Sequence, residues 1–137
     1  GVGTIMLEAS YSGIQIEGCD LSPKRCHQTR ENLRHFRYES NVHCIDVNNL
    51  KGHYDSVIVD LPYNLYSYSN EDITLKIVQS ASRLGSRIVI VSIADINSVI
   101  EMCGLQITDC CTVGKRGKSG FTRYIWVCKP TETNDKK

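Results

Sequence analysis

The chain has 137 residues, with 16 Lys or Arg against 15 Asp or Glu for a net charge of +1, and 41% of its residues are hydrophobic. That length fits one domain of the usual ~100–200 residues, and the balance of charge and apolar residues is that of a globular chain, not a disordered one. No apolar run approaches the ~18 residues of a membrane span, and no basic segment followed by an apolar one opens the chain, so composition argues against a membrane protein and a secreted precursor.

The chain opens on Gly1-Val2-Gly3-Thr4 and a helical run from Ile5 to Tyr11. A Gly-rich turn of this kind normally follows a strand, so the reading expects a chain cut before its first strand. Gly13 to Cys19 is a short, half-alternating strand ending at Asp20. Ser22-Pro23 then supplies a helix cap and a first helical residue, and Cys26, Thr29, Leu33 and Phe36 recur at helical spacing. His43 to Val47 reads as a second short strand. Tyr54 to Leu61 is a nearly continuous apolar strand of the kind covered on both faces in parallel sheets.

Beyond a Tyr- and Ser-rich loop, Glu71 to Leu84 places Ile73, Ile77, Ala81 and Leu84 on one helical side. Arg87 to Ile93 is the strongest strand. Ile96, Val99, Ile100 and Cys103 form another helical face, stopped at Gly104. Gln106 to Val113 and Thr122 to Lys129 are closing strands joined by a polar turn, and the tail over 131–137 reads as flexible. Strands alternating with helices predict a doubly wound α/β sheet in a domain over 1–130.

The seven cysteines include no CxxC pair and their number is odd, so they read as reduced, mostly buried thiols of a cytoplasmic protein, neither a metal site nor a disulfide framework. His27, His35, His43 and His53 lack metal-ligand spacing. Gly1-x-Gly3 ahead of a helix, with Asp20 closing the next strand, suits a nucleotide-binding turn in which the acid accepts from ribose hydroxyls. Met6 stands where a dinucleotide fingerprint has its third glycine, so a ligand with a ribose and no phosphate fits better.

A second constellation carries more. Val57-Ile58-Val59 runs into Asp60-Leu61-Pro62-Tyr63-Asn64 at the carboxyl end of a strand, where ligands of open α/β sheets bind. A flat base can stack on Tyr63. Asp60 and a main-chain carbonyl beside Pro62 can accept from an exocyclic amine, turning its lone pair out of the ring by positioning and local electrostatics. The competing reading makes Asp60 a turn cap and Tyr63 packing. Tyr66 and Tyr68 suit a base pocket or packing equally.

At this point a family resemblance emerges. Gly1-Val2-Gly3-Thr4-Ile5-Met6-Leu7-Glu8-Ala9 resembles motif I of S-adenosylmethionine-dependent methyltransferases, in the Gly-Ser-Gly-Thr-x-x-x-Glu-Ala form of the RNA guanine-N2 branch. Gly18-Cys19-Asp20, Glu31-Asn32-Leu33, Cys44-Ile45-Asp46, Asp60-Leu61-Pro62-Tyr63-Asn64 and Ser119-Gly120-Phe121-Thr122-Arg123-Tyr124 resemble that branch's later motifs in the same order. The departures are Val2 for Ser, and Leu61 for the first Pro of Asp-Pro-Pro-Tyr, which would loosen that loop. The family's N-terminal strand, and the THUMP RNA-binding domain that many members carry, have no counterpart in the chain.

The resemblance implies a Rossmann-like fold, with a mostly parallel twisted sheet, an antiparallel last strand and helices on both faces. It implies S-adenosylmethionine as cofactor, contacted by Gly1, Gly3, Thr4, Asp20, Leu21, Asp46, Val47 and Asp60. It implies Asp60, Pro62 and Tyr63 as catalytic residues that hold the target base, with Asn64 beside them and no metal. An aspartate at 60 favours a guanine edge, because N1–H and N2–H2 both donate to a carboxylate. Lys115, Arg116, Lys118 and Arg123 form a basic cluster suited to RNA phosphates, whereas Lys24, Arg25, Arg30, Arg34 and Arg37 read as a solvated helix face. The substrate expectation is therefore an exocyclic amine of a base, guanine N2 in tRNA or rRNA, with a separate N-terminal RNA-binding domain supplying affinity. An adenine-N6 or DNA amine methyltransferase and an inactive cofactor-binding partner subunit stand as alternatives. An NAD-dependent oxidoreductase is disfavoured by Met6 and by the lack of room for a substrate domain.

Overall fold

The structure, a computed structural model, describes residues 3–61, 69–114 and 122–131, with only the backbone of 69–71. The chain forms two compact units, Gly1–Leu50 and Lys51–Lys137.

The first unit begins with α1 (Thr4–Tyr11), which buries Met6. Gly13, at φ 78°, turns the chain out of the helix, and the Ile14 N–H closes the turn on the Ala9 carbonyl at 2.9 Å. The sequence suggests a strand from Gly13, yet β1 spans only Gly18–Asp20, because the turn uses 13 and 14 and β2 pairs only from Gly18. Next comes α2 (Pro23–His35), started as predicted by Ser22, whose side chain accepts the Arg25 N–H, with Pro23 in the first turn. The apolar face Cys26, Leu33, Met6 and Val42 forms this unit's core.

The strand expected over His43 to Val47 is also displaced. β2 covers Val42–Cys44, and the Asp46 carboxylate then accepts the Asn48 N–H and caps a single 3-10 turn over Val47–Asn49. A short acid that bonds its own downstream backbone competes with the ladder and ends the strand. β1 and β2 run parallel, with Asp20 in register with Cys44.

The second unit contains β3 (Tyr54–Asp60), α3 (Ser69–Leu84), β4 (Gly85–Ser92), α4 (Asn97–Met102), β5 (Leu105–Gly114) and β6 (Thr122–Pro130). The four strands are ordered β3-β4-β6-β5. β3 and β4 are parallel, and β6 is antiparallel to both its neighbours, as expected of the last strand. Val78 and Ala81 of α3 and Ile96 and Ile100 at α4 pack with Ile88, Ile90, Trp126 and Cys128.

Both helices thus cover the sheet face that carries Val57 and Val59. The alternate residues of β3, Ser56, Ile58 and Asp60, are exposed, 49% for Ile58, so β3 is not covered on both faces as its apolar run suggests. Thr131 is fastened by its N–H to the Gly104 carbonyl at 2.8 Å, and the remainder of the expected flexible tail lies outside the described residues. No described helix is long and apolar enough to cross a membrane.

Candidate functional site

In the first unit the predicted cofactor residues Asp20, Leu21, Asp46 and Val47 lie at the carboxyl ends of β1 and β2, while Gly3 and Thr4 begin α1. Gly3 precedes α1 at φ 93°, and a Cβ there would stand 2.6 Å from the Thr29 methyl, so only glycine fits. Its carbonyl accepts the first helical bond, from Leu7 N–H at 2.8 Å. Thr4 is the exposed first residue of α1. Gly1 lies outside the described residues.

Asp20 ends β1, half-buried, and its Oδ1 accepts the Ser22 N–H at 2.9 Å. Asp46 repeats the arrangement beyond β2, with Oδ1 accepting the Asn48 N–H at 2.9 Å. Each carboxylate is therefore fixed by one oxygen, while Oδ2 has no protein partner among the described residues. An ionised carboxylate is an acceptor only, so these oxygens suit hydroxyl or amine donors of a ligand. Leu21 follows Asp20 with 67% of its surface exposed, an apolar face beside the acid, and Val47 is half-buried at the start of the 3-10 turn.

The cysteines depart from the expectation of mostly buried thiols: Cys26 and Cys128 are buried, whereas Cys44, Cys110 and Cys111 are exposed. Cys110 and Cys111 lie on β5, which among the described strands pairs only with β6, and Cys44 ends β2. Burial pushes the Cys19 thiol up, and the neighbouring Asp20, Cys26 and Asp46 add to the shift.

In the second unit Asp60 is the exposed last residue of β3, in register with Val91. Leu61 does not loosen the segment as its replacement of proline suggests. Its side chain is buried at 5% exposure, and its N–H donates to the Val91 carbonyl at 3.0 Å, a bond that proline lacks the donor to make. Position 61 is thereby pinned to β4, and Asp60 is held at the strand end with its side chain on the opposite face.

Pro62, Tyr63 and Asn64 lie outside the described residues, as do Tyr66, Tyr68, Lys115, Arg116 and Lys118. Arg123 is exposed on β6, opposite Val113. Of the helical basic residues, Arg34 pairs with Glu31 at 3.1 Å, while Arg30 donates to the Val42 carbonyl at 2.8 Å and joins α2 to β2.

The sequence reading missed Ser92. It closes β4 one residue beyond the Val91 that holds Leu61, buried and bonded to Trp126 and Ala94. The signal available was a hydroxyl residue ending the most apolar strand of a chain with a single tryptophan.

Similar solved structures decide the fold. TrmN from Thermus thermophilus matches with a TM-score of 0.79 at 17% identity, over 95% of this chain and 41% of its own. The inferred RNA methyltransferase PH1948 from Pyrococcus horikoshii gives 0.77 at 17%, over 96% and 72%. Magnesium protoporphyrin IX methyltransferase from Synechocystis PCC 6803, with bound S-adenosylmethionine, gives 0.76 at 18%, over 94% and 66%. The fold is the Rossmann-like fold of S-adenosylmethionine-dependent methyltransferases. The chain spans less than two thirds of two of these three proteins. No protein-family model and no curated protein matches the sequence.

Proposed function

We propose that the protein is an S-adenosylmethionine-dependent methyltransferase acting on an exocyclic amine of a nucleic-acid base, guanine N2 in tRNA or rRNA. The observation that carries the cofactor assignment is the matched pair Asp20 and Asp46, each with Oδ1 held by a backbone N–H and Oδ2 left to accept. Such a pair suits the ribose hydroxyls and the adenine amine of the cofactor, and both acids stand where the methyltransferase motifs place them. Gly3, Thr4, Leu21 and Val47 complete this set, with Gly1 ahead of them. When bound, S-adenosylmethionine supplies an electrophilic methyl group on a sulfonium centre.

The chain's own chemistry centres on Asp60. Its carboxylate accepts from the amine of the target base and turns the nitrogen lone pair out of the ring. It also favours the positive charge that develops on that nitrogen, and it can take the released proton. The bond from Leu61 to Val91 holds Asp60 at the strand end, so the carboxylate is positioned before the base arrives. Pro62 and Tyr63 are assigned to hold and stack the base, with Asn64 beside them. Acceptance of two donors from one edge favours guanine. The net charge of +1 gives little attraction to RNA phosphates, so we assign most RNA affinity to a separate RNA-binding domain, with Lys115, Arg116, Lys118 and Arg123 contributing near the site.

Likeness to the porphyrin methyltransferase supports a second reading, a small-molecule acceptor on the same fold. The deciding experiment incubates the protein with methyl-labelled S-adenosylmethionine and unmodified tRNA or rRNA, then identifies the labelled nucleoside. Label in N2-methylguanosine, reduced on the order of 10²-fold or more by Asp60→Ala, is the expected result. Label in another base overturns the guanine assignment, and binding of S-adenosylhomocysteine with no label in RNA favours the small-molecule reading or an inactive cofactor-binding subunit.

A further inference from the structure

Two thiols meet where α2 passes the ends of β1 and β2. Cys26 lies in the first turns of α2 with 0% of its surface exposed. Its Sγ lies 3.4 Å from the Asp20 carbonyl and 3.8 Å from the His43 carbonyl. Cys44, the next residue after His43, is exposed, and its Sγ lies 3.7 Å from the carbonyl of Leu21, the next residue after Asp20. Cys44 is also the side chain that, after burial, does most to raise the Cys26 thiol, so the two thiols are neighbours. Because Cys44 is in register with Asp20 on the neighbouring parallel strand, the two thiols bracket the strand ends that carry the acids. Methyl transfer to an amine uses no thiol, and no described group of His, Cys, Asp and Glu is arranged to hold a metal ion, so the pair has no part in the chemistry assigned above.

We propose that Cys26 and Cys44 are a modification site that closes reversibly to a disulfide under a hydroperoxide and thereby weakens cofactor binding. Cys44 reacts first, being the exposed member. Its thiolate sulfur attacks the hydroperoxide, the O–O bond breaks, and Cys44 becomes a sulfenic acid while the alkoxide takes up a proton and leaves as an alcohol (water, for hydrogen peroxide). The Cys26 sulfur then attacks the Cys44 sulfur. The S–S bond forms, the S–O bond breaks, and the hydroxide leaves as water with the Cys26 proton. The two thiols lose two electrons, and the hydroperoxide gains them.

Burial, and next the neighbouring Cys44, pushes the Cys26 thiol up. It therefore stays protonated and inert until its partner carries the electrophile. A dithiol reductant reverses the change by exchange.

Closure joins the two sulfurs by a bond of about 2.05 Å and removes the S–H donors from the carbonyls of Asp20, His43 and Leu21. The end of β2 is drawn toward α2, and Asp46 follows two residues later. The effect on the cofactor rests on the assignment of Asp20 and Asp46 made above, whereas formation of the disulfide does not.

The test treats the full chain with hydrogen peroxide, blocks remaining thiols and maps its peptides, beside titration with S-adenosylhomocysteine. The expected product is a Cys26–Cys44 linked peptide lighter by two hydrogens, lost on treatment with dithiothreitol and absent in Cys44→Ser. In parallel the Kd should rise about tenfold or more on oxidation of the native protein and stay unchanged on oxidation of Cys44→Ser. Oxidation of Cys44 to the sulfinic acid without a link, or a link from Cys26 to another cysteine, overturns the proposal. A linked protein that binds with unchanged Kd overturns the coupling to the cofactor. Failure of the reduced protein to bind S-adenosylhomocysteine overturns the cofactor assignment instead, and the linked peptide then decides the disulfide alone.

Discussion

The indole Nε1–H of Trp126 donates to the Ser92 hydroxyl at 2.9 Å inside the second unit, and that hydroxyl donates onward to the Ala94 carbonyl at 2.7 Å. The pair joins β6 to the end of β4, and the Tyr124 ring stacks on Trp126 with centroids 5.4 Å apart. One hydroxyl thus satisfies a buried donor and fixes the first residues after β4, beside the strand end that presents Asp60.

Ser92→Ala should accordingly lower stability by about 1–3 kcal/mol, the cost of leaving a buried donor unpaired. Trp126 is the only tryptophan, so urea unfolding followed by its fluorescence reads this unit directly. A loss below about 0.5 kcal/mol, the range of an ordinary surface substitution, would show that the hydroxyl has no such role.

Ser22 caps α2 through its hydroxyl, which accepts the Arg25 N–H at 3.3 Å. Ser22→Ala should cost about 0.5–2 kcal/mol and Ser22→Asp should restore most of it. Faster hydrogen exchange at the Arg25 amide in the alanine variant, reversed in the aspartate variant, is the local readout. Equal exchange in all three proteins would mean that the bond does not hold the helix start.

Gly3→Ala combines two penalties, a contact of 2.6 Å with Thr29 Cγ2 and a backbone at φ 93°. The backbone alone costs about 1–3 kcal/mol for a residue with a Cβ. Adding Thr29→Ser removes the methyl that clashes and leaves the dihedral, so the double variant should recover only part of the loss. Thermal unfolding of the single and double variants measures the split, and full recovery would show that the left-handed conformation carries no strain.

Asp20→Asn retains the Oδ1 bond to the Ser22 N–H and removes the charge that should face the cofactor. Affinity for S-adenosylhomocysteine should fall about tenfold to a hundredfold, as for a hydrogen bond to a charged group worth ~1.5–3 kcal/mol. Calorimetry checks it, and unchanged affinity would remove Asp20 from the site.

Cys128 is 1% exposed. Burial, and next the nearby Cys110, pushes its thiol from the ordinary 9.0 up to about 11. The fold therefore favours the neutral thiol. Its contribution to stability is full below about pH 9 and is lost as pH rises through 11. Unfolding midpoints should fall more steeply between pH 9 and 11 for the native protein than for Cys128→Ala. Parallel curves would contradict the shift.

Much of this architecture was legible in the sequence because local physics and the tertiary fold agree there. Ser22-Pro23 starts α2 where a cap and a fixed φ belong, and Gly104 stops the segment that contains α4 with a φ of 75°. The apolar runs of β3 and β4, and the helical spacing of Ile77, Ala81 and Leu84, give the right elements within a residue or two. The displaced boundaries have local causes of their own, the turn at Gly13 and the Asp46 carboxylate that caps a 3-10 turn in place of a longer strand.

The sequence by itself determined the order of strands and helices, the α/β class and the identity of the acids that end β1 and β3, since each follows from periodicity, capping chemistry and motif order along the chain. Only the tertiary structure decided which atoms those residues meet. It set Leu61 into the core with its N–H on Val91, joined Trp126 to Ser92 across 34 residues, and brought Cys26 beside Cys44, two cysteines that appear unrelated along the chain. The physical reason is that capping and periodicity act within one or two turns of backbone, whereas strand register and side-chain contact depend on which distant segments share the same core.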